Sequence, residues 1–146
     1  MNRLKEMPAA YIKHVQGVRL RTTYFYGEDS LEVVIARFHD SLEDGELTKD
    51  ELPEAIHEFY PCLQPAMIEA LVESIVAITR RKGEVYMDYI KRLAKDPLAR
   101  RVKIIDLKYN LYDCETPPPG DLKQRYKRAL TFLNSRISWW SGTEQE

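Results

Sequence analysis

The sequence predicts an all-α protein, a single helical bundle of about six to eight helices. Apolar residues recur at steps of three and four along nearly the whole chain. The punctuation is helical too, with Thr, Asp and Pro at expected starts and Gly at expected ends. No run of useful length alternates as a strand would, and the short Arg21–Tyr26 segment (RTTYFY) is the only candidate. A chain of 146 residues has room for one domain around one core. That domain is expected over 1–138, with a flexible C-terminal tail over 139–146.

Each element has a local reason. From Glu28 to Leu42, Leu31, Val34, Ile35, Phe38 and Leu42 share one helical face; Glu28 and Asp29 suit the positive helix end, and Gly45 stops the helix. Thr48 with Glu51 forms a capping box for a helix over Lys49 to Phe59, with Pro53 in or near its first turn. After a connection marked by Pro61 and Pro65, Ala66 to Thr79 reads as a strongly apolar helix with Met67, Leu71, Ile75 and Ile78 on its stripe. Arg80-Arg81-Lys82-Gly83 is a basic turn, followed by a helix from Glu84 to Ala94. Asp96-Pro97 caps and opens the next helix, which runs to about Tyr112. Pro117-Pro118-Pro119-Gly120 is a stiff loop, and Asp121 caps a last helix to about Ile137.

Composition narrows the function classes. Hydrophobic residues make up 44 % and charged residues 31 %, with a net charge of −1. There is no global basic field for double-stranded nucleic acid, so an anionic ligand needs a local cluster of cations. No stretch reaches the roughly 18 apolar residues of a membrane span, and the N-terminus lacks a signal-peptide core. Cys62 and Cys114 follow no metal-binding or disulfide pattern. A cytoplasmic location is expected, and an oligomer is compatible with the sequence.

The chemistry concentrates in His39-Asp40-Ser41-Leu42-Glu43-Asp44. An adjacent His-Asp pair offers a nitrogen and an oxygen to one divalent metal. Glu43 lies one helical turn on, in reach of a water at that metal, with Asp44 beside it. Two ligands rarely hold a catalytic metal. Asp106, a carboxylate in the apolar run Val102-Lys103-Ile104-Ile105, is costly to bury unless paired or metal-bound. Asn110 follows at i+4 on the same face. His14, behind Tyr11-Ile12, is the other candidate ligand. Against this stand ordinary readings: His14 as a surface histidine, Asp106 as an ion-pair partner of Lys103 or Arg101, Glu43 and Asp44 as a solvated helix end. His57 has no such context and reads as structural. The joint occurrence favours a metal site, and a mixed N/O donor set suits manganese or a similar first-row ion.

The chain resembles the HD-domain phosphohydrolases, in particular the hydrolase domain of the RelA/SpoT alarmone enzymes and the small alarmone hydrolases. The resemblance rests on Tyr11-Ile12-Lys13-His14, on His39-Asp40-Ser41-Leu42-Glu43-Asp44, and on the run from Lys103 to Asn110, which places Asp106 four residues before Asn110. Thr79-Arg80, Tyr86-x-x-Tyr89-Ile90 and Pro97-x-Ala99-Arg100 are similar to short bacterial and phage-type members. The similarity spans about Arg3 to Leu133. It departs from the family at Val15, where proline is usual, at Gly45, where threonine is frequent, and in the short segment before Tyr11. No synthetase domain is expected.

The resemblance implies a manganese site at His14, His39, Asp40 and Asp106, with Glu43 and Asn110 orienting and activating the attacking water. It implies hydrolysis of a nucleotide phosphate ester or pyrophosphate, with removal of the 3′-pyrophosphate of guanosine tetra- or pentaphosphate preferred. Alternatives are a dNTP, a cyclic or oligonucleotide, the 2′-phosphate of NADPH, or a non-catalytic nucleotide-binding module. The leaving pyrophosphate needs positive charge, for which Arg80, Arg81, Lys82, Lys108, Arg3 and Lys5 are the candidates. A solvated turn is the equal alternative for the Arg80–Lys82 cluster. Tyr86, Tyr89, Tyr112 and Tyr126 are aromatic candidates for stacking on a base, against the more frequent role of core-edge packing.

Overall fold

The computed structural model of the chain describes residues 9–114 and 117–141, with side chains left out at 10, 11 and 136–141. Arg3 and Lys5 lie outside the described residues. Seven helices and no strand occur among those described: α1 (Ala9–Tyr26), α2 (Leu31–Phe38), α3 (Leu52–Phe59), α4 (Pro65–Ala77), α5 (Tyr86–Leu93), α6 (Pro97–Lys108) and α7 (Gly120–Ser141). A 3₁₀ turn, Lys49–Glu51, leads into α3, and α6 widens into a π-helical turn over Tyr109–Asp113.

The strand candidate at Arg21–Tyr26 is the end of α1. Two threonines made it look strand-like, but both hydroxyls are satisfied inside the helix. Thr22 Oγ1 donates to the Val18 carbonyl at 2.7 Å and Thr23 Oγ1 to Arg19 at 3.0 Å. Val15, Val18 and Thr22, spaced three and four apart, form the buried face. Gly17 lets the helix approach α6: a Cβ there would stand 2.5 Å from the Tyr109 ring.

α2 starts at Leu31, not Glu28, because Ser30 Oγ accepts the Val33 N–H at 3.3 Å as an N-cap. It ends at Phe38, short of the expected Leu42. There the side chains take over the carbonyls: His39 Nδ1 donates to Ala36 at 2.7 Å and Ser41 Oγ to Phe38 at 2.7 Å. The His39–Asp44 stretch is therefore a tight turn, closed by Gly45 at φ +78°. The Thr48 N–H bonds Glu51 Oε1 at 2.9 Å, as the capping box requires. Asp96 caps α6 through the N–H groups of Leu98 and Ala99 at 3.1 and 3.0 Å. In α4 the buried stripe is Ile68, Leu71, Val72 and Ile75; Met67, assigned to the stripe by spacing, is 40 % exposed. α7 continues to Ser141, past the expected end near Ile137.

α6 organises the molecule. Its Ala99, Val102 and Ile105 join a core built with α1 to α4 around Val18, Ile35 and Leu71. Its Ile104 and Leu107 face a second cluster with Ile90 and Leu93 of α5 and Leu130 and Leu133 of α7. A helix apolar on two sides is buried nearly all round, and so is its carboxylate Asp106, at 3 % exposed.

Candidate metal centre

Three helical segments deliver four donor atoms to one point. α1 brings His14, the turn after α2 brings His39 and Asp40, and α6 brings Asp106. His14 Nε2 stands 3.3 Å from His39 Nε2, 3.3 Å from Asp40 Oδ2 and 2.8 Å from Asp106 Oδ1. His39 Nε2 stands 3.2 Å from Asp40 Oδ2 and 3.3 Å from Asp106 Oδ1. All four donors lie within 4.8 Å of one another, the one such group among the described residues.

This arrangement fits a divalent ion. An ion held at about 2.0–2.2 Å spaces neighbouring ligands at roughly 3.0–3.5 Å, by the geometry of a tetrahedron or octahedron. The tautomer of His39 agrees. A carbonyl only accepts, so the contact with Ala36 places the hydrogen on Nδ1 and leaves the Nε2 lone pair aimed at the cluster. Two nitrogens facing each other at 3.3 Å with carboxylates on both flanks are poorly served by protons alone.

Electrostatics point the same way. Burial would lower both imidazoles, yet Asp106 and Asp40 raise His14 to about 9 and lift His39 well above its usual value. Burial would raise both carboxyls, yet they are held well below the usual range, Asp40 by the histidines and Asp106 by Lys103 and the histidines. Protons and a metal ion compete for the same nitrogens. Asp106 makes the expected ion pair, Oδ2 accepting from Lys103 Nζ at 2.9 Å, while Oδ1 faces His14. The π-helical turn carries Tyr109, whose ring packs on His14 at 5.2 Å and under the Arg21 guanidinium at 4.8 Å.

The donors open into a cavity of about 250 Å³. Glu43, Asp44 and Asn110 line it beside His14, Asp40 and Asp106. Burial, with the charges of Asp40 and Glu43, pushes the Asp44 carboxyl up to about 6. The remaining wall is cationic and aromatic: Arg80, Lys103 and Arg125 with Tyr86, Tyr89 and Tyr126. Of the expected cations, Arg80 lines the cavity. Arg81 and Lys82 are exposed on the turn, and Lys108 is exposed on α6 outside the cavity. Tyr112 also lies outside, 64 % exposed, and His57 sits on the far groove between α3 and α4.

The basic turn is held in shape by one salt bridge. Arg92 Nε and Nη2 donate to Glu84 at 2.9 Å each, and the same guanidinium reaches the Ala77 and Thr79 carbonyls at 3.2 and 2.9 Å. Arg80 Nε donates to the Glu84 carbonyl at 2.9 Å. Arg125 and the wall role of Lys103 were not anticipated. Arg125 lies in the run Lys123-Gln124-Arg125-Tyr126-Lys127-Arg128, where only helical phase separates the cavity-facing cation from the solvated ones. Compared with known proteins, the chain matches no family model and no curated sequence. No helix among the described residues is long and apolar enough to cross a membrane.

Proposed function

We propose that the protein is a metal-dependent phosphohydrolase of the HD type, acting on a phosphate ester or pyrophosphate of a nucleotide. The observation that carries this reading is the convergence of His14, His39, Asp40 and Asp106 at one edge of a cavity whose other wall holds three cations. A divalent ion held by those four residues would acidify a water and polarise a phosphoryl oxygen. Glu43 and Asp44 line the cavity on the turn just past the candidate ligands, and in this reading they would take the water's proton and later release it. Asn110, a neutral amide, donates to a phosphoryl oxygen or holds the attacking water. Arg80, Lys103 and Arg125 balance charge on the leaving group.

Charge counting supports an anionic substrate with the ion present. Four carboxylates line the cavity against three permanent cations, so it is negative by one with neutral histidines. A divalent ion reverses the sign. At about 250 Å³ the cavity suits a phosphate chain better than a whole nucleotide, leaving base and sugar near the mouth. Within that class, guanosine tetra- or pentaphosphate losing its 3′-pyrophosphate is the preferred substrate, and manganese the preferred ion. Elemental analysis tests the site: the wild type should retain about one ion per chain and Asp106→Ala much less. Equal content would refute it. A phosphate-release screen of nucleotides with added manganese tests the reaction, and wild-type metal content without turnover on any of them would leave a binding module.

A further inference from the structure

Tyr86 and Tyr89 sit one turn apart on α5, and both line the cavity. Their hydroxyls differ. Tyr89 Oη donates to the Ile78 carbonyl and so belongs to the core. Tyr86 Oη is buried and has no hydrogen-bond partner. Buried polar groups are nearly always paired, because an unmade bond costs on the order of 1–3 kcal/mol.

The Tyr86 ring is held between cations, with the Arg125 guanidinium 4.8 Å and the Arg80 guanidinium 5.4 Å from its centroid. It also packs on Tyr89 at 5.7 Å and Tyr126 at 6.3 Å. The Lys103 ammonium has three donors, of which one goes to Asp106 Oδ2 and another side lies over the Tyr89 ring at 5.3 Å. A hydroxyl without an acceptor, on a ring flanked by two guanidiniums in a cavity that the Lys103 ammonium also lines, lacks one kind of group: an anionic oxygen.

We propose that Tyr86 is a substrate-contacting residue whose hydroxyl, with Lys103, Arg80 and Arg125 lining the same cavity, receives an oxygen of a phosphate group on the α5–α7 wall of the cavity. The part this contact plays in turnover rests on the phosphohydrolase reading; the anion site itself does not. Arg80 and Arg125 supply charge, and the hydroxyl supplies direction. A monoanion without a fixed donor would be held anywhere along that wall, whereas Tyr86 fixes one oxygen at one place.

The test is Tyr86→Phe, which keeps the ring and both cation contacts and removes only the hydroxyl. The variant should melt at or above the wild-type temperature, since it loses an unpaired buried group. The probe is inorganic phosphate, titrated calorimetrically into protein carrying stoichiometric manganese, with metal content measured on the same samples. Tyr86→Phe should keep its metal and bind phosphate about tenfold or more weakly, the usual share of a hydrogen bond to a charged group. The exposed Tyr112→Phe should bind as the wild type does. Equal phosphate affinity in Tyr86→Phe and wild type would overturn the proposal, as would a wild type that binds no phosphate. Weaker phosphate binding by Tyr86→Phe than by a wild type that likewise retains no manganese would support the anion site and count against the hydrolase reading alone, whereas loss of metal by the variant only would overturn the proposal.

Discussion

Glu43 and Asp44 are neighbours with different surroundings. Glu43 is exposed, and its Oε1 accepts the Arg80 backbone N–H at 3.4 Å, tying the turn after α2 to the basic one. Asp44 is the carboxyl that its surroundings move toward neutrality, to about 6. Neither belongs to the four-donor group. Glu43→Gln should therefore leave fold and metal content intact. On whichever nucleotide the screen identifies, turnover should fall by roughly two to four orders of magnitude, the share of a positioned general base. Substrate affinity should change little, because the lost contact belongs to the transition state. Near-normal turnover would reduce Glu43 to a link between turns and leave proton transfer to Asp44. At this scale the sequence was informative about the clustered donors and less so about the wall. His39-Asp40 and Asp106 were legible because each is odd in its own context, a charged residue inside or ending an apolar run. Arg125 was not, because a cation in a basic helix is ordinary until packing chooses which one faces inward.

The turn between α4 and α5 is an element whose shape depends on charge. Glu84 is held down to about 2 from an ordinary 4.5, first by the Arg92 hydrogen bonds, against a smaller effect of burial. A folded value below the unfolded one means that the ionised pair stabilises the fold above about pH 4.5 and stops doing so as pH falls toward 2. Glu84→Gln should cost on the order of 1 kcal/mol at pH 7, the range of a surface ion pair with good geometry. The gap between wild type and variant should shrink as urea melts are repeated from pH 5 down to pH 2.5. A gap independent of pH would mean that the Gln amide loses shape complementarity, not charge. The same scale holds the largest revision to the fold. α1 escaped a periodicity reading because its outward residues Leu20, Tyr24 and Phe25 are apolar and exposed, at 59, 84 and 63 %, which blurs the buried stripe of Val15, Val18 and Thr22.

For the whole molecule, the candidate metal site is a junction. It joins α1, the turn after α2 and α6, and α6 in turn separates the two cores. A ligand that binds only the native state adds stability by mass action, about 2.7 kcal/mol at a hundredfold excess over Kd. For a domain of this size that is a rise of roughly 6–10 °C in Tm. Scanning calorimetry of chelated and manganese-loaded protein should show this, with the chelated form still folded because imidazolium–carboxylate pairs replace the ion. An unchanged Tm in wild type would mean that the four donors form an ion-pair network and no metal site. By itself the sequence determined the all-α class, the helix starts marked by Thr48 and Asp96, and the donor types of the cluster, because these follow from local spacing and local hydrogen bonds. Only the tertiary structure decided that His14, on a helix the pattern did not show, stands 3.3 Å from His39, that Lys103 and Arg125 face the cavity while Lys108 does not, and that the Tyr86 hydroxyl is left without a partner. Those outcomes depend on the phase of one helix against another, which side-chain packing sets and no single segment carries.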